Sequence, residues 1–134
     1  MNSDATVFSQ RYQIFFEKSM TIMQTESVLR EFVVSIGRAL ACNEIILGHV
    51  KILARLPEPA LDNFIFLSLT RLDQVDQTPS EYWANIGGVT LDCLVLHVNV
   101  LVFGHTLSQV EEQVVVALKK LGGLIEQDNP MRFD

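Results

Sequence analysis

The apolar positions of the chain repeat with two different periods, and the helical period appears in three segments. Apolar residues recur every three or four positions from Ala5 to about Met23, from Val28 to Leu40, and from Leu107 to Leu121. This spacing is typical of helices with one buried face. The candidate N-caps are, in chain order, Asp4 or Ser3, Thr25 and Thr106. We expect the first two segments to be separate helices that break near Gln24, and one bent helix is the alternative.

A period of two replaces the helical period in the middle of the chain. In EIILGHVKILARL, the even positions from Ile46 to Leu56 are apolar or glycine, whereas the odd positions include His49, Lys51 and Arg55. This alternation predicts a strand with one dry and one wet face. The segment PEPALDN is a predicted loop, because its two prolines cannot donate to a strand ladder. The segment FIFLSLTRL after it predicts a second strand.

A short helix is predicted between the second and third strands. Thr78 can cap it, Pro79 suits the first helical position, and Glu81 can reach back to the cap amide. Gly87 and Gly88 supply a left-handed stop, so the helix is expected from Pro79 to about Ile86. The segment LDCLVLHVNVLVFGHT, residues 91–106, predicts the third strand, and the last helix follows it.

This element order predicts an α+β fold. We expect a sheet of about three strands, with two N-terminal helices, a short connecting helix and a C-terminal helix packed on it. The connection before the last strand permits parallel or antiparallel placement, and antiparallel is favoured. The 134 residues suit a single domain. Its expected parts are an N-terminal helix (1–24), a core (25–122) and a C-terminal tail (123–134).

The third strand is apolar on both faces. Its even positions from 94 to 102 are all aliphatic, and its odd positions are mostly apolar with His97 and Asn99 inserted. Few helices are available to cover a second face, and the mean hydropathy of +0.26 is high for a lone domain. These features predict a homo-oligomer, most simply a dimer, with Val95, Leu101 and Phe103 at the interface.

The charge and composition of the chain limit which partners it is expected to bind and where in the cell it is expected. The net charge of −6 repels polyphosphate, and the final helix begins with the acidic segment HTLSQVEEQ, so nucleic-acid binding is not expected. The apolar run from Val100 to Phe103 falls far short of the ~18 residues that span a bilayer. The start MNSDATVFSQ does not resemble a signal peptide. We therefore expect a cytoplasmic protein without a membrane span.

A few polar and aromatic residues are candidates for ligand binding. The candidate set is His97, Asn99, Tyr82, Trp83 and His49. The alternatives are that His97 and Asn99 are buried polar groups that hydrogen-bond to each other or to a neighbouring loop, and that the two aromatic residues anchor the short helix to the core. The simplest explanation of the cations is that they form a solvated face of the sheet, and these are His49, Lys51, Arg55 and Arg71.

Other chemistry has little support in the sequence. The two cysteines lack metal-ligand spacing, the three histidines share no ligand motif, and nucleophile, dinucleotide and P-loop motifs are absent. No metal, cofactor or catalytic residue is therefore expected, and the balance is against an enzyme. The leading hypothesis is a non-enzymatic interaction and assembly module that self-associates through an apolar sheet face. The alternative is a small-molecule-binding protein or enzyme with a pocket near His97, Asn99 and Trp83.

Overall fold

The residues that the structure describes form one antiparallel sheet of six strands and three helices. A computed structural model describes residues 4–60, 62–86 and 88–128. The elements are, in chain order, β1 (Thr6–Thr21), α1 (Ile22–Leu40), β2 (Gly48–Arg55), β3 (Phe64–Arg71), β4 (Gln74–Pro79), α2 (Glu81–Ala84), β5 (Thr90–Val102), α3 (Leu107–Lys119) and β6 (Leu124–Asp128). The strand order is β4-β3-β2-β5-β1-β6, with antiparallel neighbours throughout. The expected α+β class and antiparallel sheet are confirmed, but the expected number of about three strands is wrong.

The predicted first helix is instead the long strand β1. Phe8, Tyr12 and Ile14 face the core, whereas Ser9 and Arg11 between them are exposed. Phe8 and Tyr12 are four residues apart, a spacing that fits both a helical stripe and a strand face. Pairing with β5, from Thr6 opposite Val102 to Phe15 opposite Cys93, decides between the two. A shift in the strand register between Phe15 and Met20 breaks the alternation further, which hid the strand from pattern analysis.

Strands β4 and β6 are the two edge strands, and the sequence pattern predicted neither. Strand β4 has no fully buried side chain, and it forms a hairpin with β3 through Leu72 and Asp73. Strand β6 pairs only with β1 and falls in the segment predicted to be a tail. Edge strands have few buried neighbours, so their composition carries little alternation. The remaining tail, residues 129–134, lies outside the described residues.

The N-terminal caps of the two long helices explain where each helix begins. Thr21 caps α1 in a capping box, because its side chain accepts from the Gln24 amide at 3.1 Å and Gln24 accepts from the Thr21 amide at 2.9 Å. Thr25, the predicted cap, instead lies buried inside the helix. Thr106 caps α3 in the same way with Gln109, which confirms that prediction.

The short helix α2 starts later than predicted, and Ser80 rather than Thr78 caps it. Thr78 and Pro79 belong to β4, where Thr78 is opposite Phe66. The Ser80 hydroxyl accepts hydrogen bonds from the amides of Trp83 and Phe64, both at 3.1 Å. It also donates to the carbonyl of Asp62 at 2.8 Å. This one side chain therefore ties α2 to β3 and to the preceding loop. The predicted stop at Gly87 falls outside the described residues.

The core lies between the helices and one face of the sheet. Helices α1 and α3 contact each other and the central strands. The even-numbered residues of β5 from Leu94 to Val102 are at most 1% exposed, as the sequence pattern predicted for its aliphatic face. Gly48 makes β2 fit against β5, because a Cβ there would lie 1.8 Å from the Leu101 carbonyl oxygen. Only glycine tolerates this approach at a φ of +143°.

We expect Ser80→Ala to lower the free energy of unfolding by about 0.5–2 kcal/mol, because the amides of Trp83 and Phe64 lose their acceptor. The denaturant midpoint measures this change. Thr78→Ala is the matched control, since Thr78 is exposed on an edge strand, and its midpoint should stay near that of the native chain. Equal losses in the two variants would contradict the assignment of Ser80 as the cap.

Candidate functional site

The sheet face opposite the core is the main candidate for a functional surface. On each strand its residues alternate with the core residues, and they are half-buried or exposed. We call this surface the open face. Its residues are Val7, Ser9, Arg11, Gln13 and Phe15 of β1; His49, Lys51, Leu53 and Arg55 of β2; Phe64, Phe66 and Ser68 of β3; Asp76 and Thr78 of β4; Cys93, Val95, His97, Asn99 and Leu101 of β5; and Leu124 and Glu126 of β6.

A polar row crosses the open face from one side almost to the other. The strand registers place five polar residues side by side, namely Ser9, Asn99, Lys51, Ser68 and Asp76. The Ser9 hydroxyl donates to Asn99 Oδ1 at 2.8 Å. Asn99 therefore has a structural partner within the sheet, although it is exposed.

Apolar side chains lie on both sides of this polar row. On one side, Phe64 and Phe66 meet edge to face with ring centroids 5.8 Å apart. Leu53 is opposite Phe66 in the register, so it extends the same apolar area. On the other side Val7 is opposite Leu101, at the end of the sheet where β5 leaves toward α3. The open face thus combines two apolar areas with a polar band between them.

The structure gathers three of the five sequence-predicted ligand residues on this face. His97, Asn99 and His49 all lie on it. Trp83 is 1% exposed and anchors α2 in the core, whereas Tyr82 beside it is exposed. The predicted interface residues Val95 and Leu101 are half-buried on the open face, and Phe103 is 40% exposed just beyond the end of β5.

The histidines differ in their surroundings. His105 Nε2 lies 2.8 Å from the Leu40 carbonyl oxygen, which ties the loop before α3 to the end of α1. His49 has a buried Nδ1 that makes no hydrogen bond within the described chain. Burial lowers the pKa of His49 below its ordinary value, and the nearby charge of Lys51 lowers it further. The described residues contain no group of three or more His, Cys, Asp or Glu side chains placed to hold a metal ion.

The open face carries cations on its inner strands, although the whole chain has a net negative charge. The cations Arg11, Lys51 and Arg55 lie on the inner strands β1 and β2, whereas Asp76 and Glu126 lie on the two edge strands. The whole chain has a net charge of −6. A partner of the open face therefore meets positive charge at its middle, against an otherwise acidic protein.

A cleft elsewhere on the surface has a volume of about 840 Å³. It lies between the end of α1, the following loop and the turn that joins β3 to β4. Its lining combines Arg38 and Arg71 with Glu44 and Asp73, together with apolar neighbours. The candidate cations of the sequence are thus divided, since Arg71 belongs to this cleft while Lys51 and Arg55 belong to the open face. No sequence motif indicated the cleft, because its residues come from two segments that are distant in sequence, 38–46 and 70–73.

Comparison of the chain with models of known protein families, with curated proteins and with solved structures found no match. In the part of the chain that the structure describes, no helix is long and apolar enough to cross a membrane. The function must therefore be argued from the geometry of the surface.

Protonation of His49 is expected to destabilise the fold. Its folded-state pKa is lowered, so the unfolded chain binds a proton more readily near and below pH 6.5. The stability associated with neutral His49 is present above this pH and is lost as the pH falls. We expect the denaturant midpoint to drop between about pH 7.5 and pH 5, and to drop less in His49→Gln. Identical losses in the variant and the native chain would contradict this role for His49.

Proposed function

We propose that this chain is a non-enzymatic interaction and assembly module that self-associates through the open face of its sheet. The observation that carries the proposal is the difference between the two sides of β5. Even-numbered residues of the strand are buried against the helices, whereas apolar Val95 and Leu101 on the other side are only half-buried. Exposed apolar areas that are bordered by polar residues mark interaction sites in soluble proteins.

The size of the open face supports a stable protein interface. Six strands about 4.8 Å apart span about 24 Å, and eight residues along β2 span about 27 Å, which gives a projected area of about 650 Å². A standard interface hides about 800 Å² of accessible surface on each partner. Side chains that project from the sheet make its accessible area larger than its projected area, so this face is large enough for one partner.

A second copy of the chain is the proposed partner, because homo-oligomers with closed symmetry are the commonest assemblies of soluble proteins. Face-to-face packing is favoured over joining sheet edges. The outer strand β4 carries Asp76 and ends in Pro79, which has no amide to donate, and such features discourage pairing with another strand. Packing of two open faces also covers both apolar areas at once.

A small-molecule site near His97, Asn99 and Trp83 is the alternative proposal. It requires the buried indole of Trp83 to become available to a ligand on the open face. A thermal-shift screen of metabolites tests it, since a ligand that binds the folded state raises its stability. A ligand whose effect is lost in Asn99→Ala would favour this alternative over self-association.

We expect the native chain to have a dimer mass in light scattering at micromolar and higher concentrations, and Leu101→Lys to reduce that mass to the monomer. A lysine on the open face places an ammonium group in the seam, where two copies would have to desolvate it. Circular dichroism establishes that the variant remains folded.

Val116→Lys is the matched control for this experiment. Val116 is an apolar residue 42% exposed on α3, on the far side of the molecule from the open face. Its substitution by lysine should leave the dimer mass unchanged. A native chain that stays monomeric at every concentration would contradict self-association, and dissociation by Val116→Lys alone would place the interface on the helices.

A further inference from the structure

We propose that the seam between two copies is centred at one end of the open face, on an apolar cluster formed by Val7, Leu47, Leu101 and Phe103. We call this cluster the end patch. The inference rests on the proposed self-association and specifies where on the open face it occurs.

The backbones of the four end-patch residues are neighbours at one end of the sheet. Val7 and Leu101 are directly opposite each other on β1 and β5. Phe103 is two residues beyond Leu101, and its amide donates to the Leu47 carbonyl at 3.0 Å. The patch therefore joins the end of β5 to the start of β1 and to the residue that precedes β2.

The end patch is unusually exposed for residues of its type. Val7 is 63%, Leu47 51% and Phe103 40% exposed, and Leu101 is half-buried. The largest apolar patch on a typical monomer covers about 300–600 Å² and is often functional. Four large apolar residues with this exposure, whose backbones are neighbours, are candidates for a patch of that kind.

Charge favours this end of the face over its middle. A two-fold seam places each surface against its own copy. Centred on the middle, it would bring Lys51 of one copy close to Lys51 of the other. Like charges that face each other across an interface are unfavourable. None of the end-patch residues carries a charge, so a seam centred there avoids this repulsion.

The end patch contains two of the three interface residues that were expected from the sequence, Leu101 and Phe103. Val95 is six residues away from Leu101 along β5, about 20 Å at strand spacing, and lies outside the centre of the seam. Val7 and Leu47 join the interface, although the sequence pattern did not indicate them.

The test compares two exposed phenylalanines on the same side of the sheet. Phe103 of the end patch is 40% exposed, and Phe66 beside Phe64 is 47% exposed. We expect Phe103→Lys to raise the dimer dissociation constant at least about 30-fold in sedimentation velocity, whereas Phe66→Lys changes it less than about threefold. Leu47→Lys is a second end-patch variant, in a loop, for use if Phe103→Lys does not fold.

Each result separates this inference from the proposed function. Loss of the dimer in both Phe103→Lys and Phe66→Lys would support self-association through the open face but overturn its centring on the end patch. Loss in Phe66→Lys alone would place the seam at the other end. A native dimer that survives all three substitutions would overturn both proposals, as would a native chain that is always monomeric.

Discussion

The antiparallel pairing of β1 with β5 links the two halves of the sheet. It runs from Thr6 opposite Val102 to Thr21 opposite Thr90, with one shift in register. It brings the start of the chain beside a strand about 90 residues away, and it places β5 in the interior of the sheet. Because β5 pairs with β2 on its other side, the two halves of the sheet are joined only through this strand. The pairing also places Tyr12 of β1 under α3. Burial there raises the pKa of Tyr12 to about 12, and the charge of Glu111 makes a smaller contribution.

The same pairing explains which parts of the fold could be predicted from the sequence. Strands β2, β3 and β5 and helices α1 and α3 show clear periods, because each buries one well-defined face. Strand β1 was wrongly predicted as a helix, since Phe8 and Tyr12 fit both periods and its partner is distant in sequence. The edge strands β4 and β6 bury little, so they left no pattern. The local period of apolar residues shows which positions are buried, but it does not show which strands pair when they are distant in sequence.

The candidate surface was predicted in part for the same reason. The two-sided apolar character of β5 correctly indicated that its odd-numbered residues lie away from the helices. It could not reveal the neighbours of those residues, because β1 had been assigned to a different kind of element. The contributions of Val7 and Ser9, and the polar row that includes Asn99, follow only from the strand registers. Asn99 Oδ1 accepts a hydrogen bond from the Ser9 hydroxyl, a contact across the strands that the sequence pattern did not predict.

If a second copy of the chain covers the open face in solution, the side chains of this face become less exposed to solvent as the protein concentration rises. Hydroxyl-radical footprinting at low and high protein concentration measures this most directly, because it reports the solvent exposure of individual side chains. We expect the oxidation of Leu101 and Phe103 to fall as the concentration rises, while oxidation of the exposed α3 residues Val115 and Val116 stays constant. Equal oxidation of the open face at all concentrations would contradict self-association through this face.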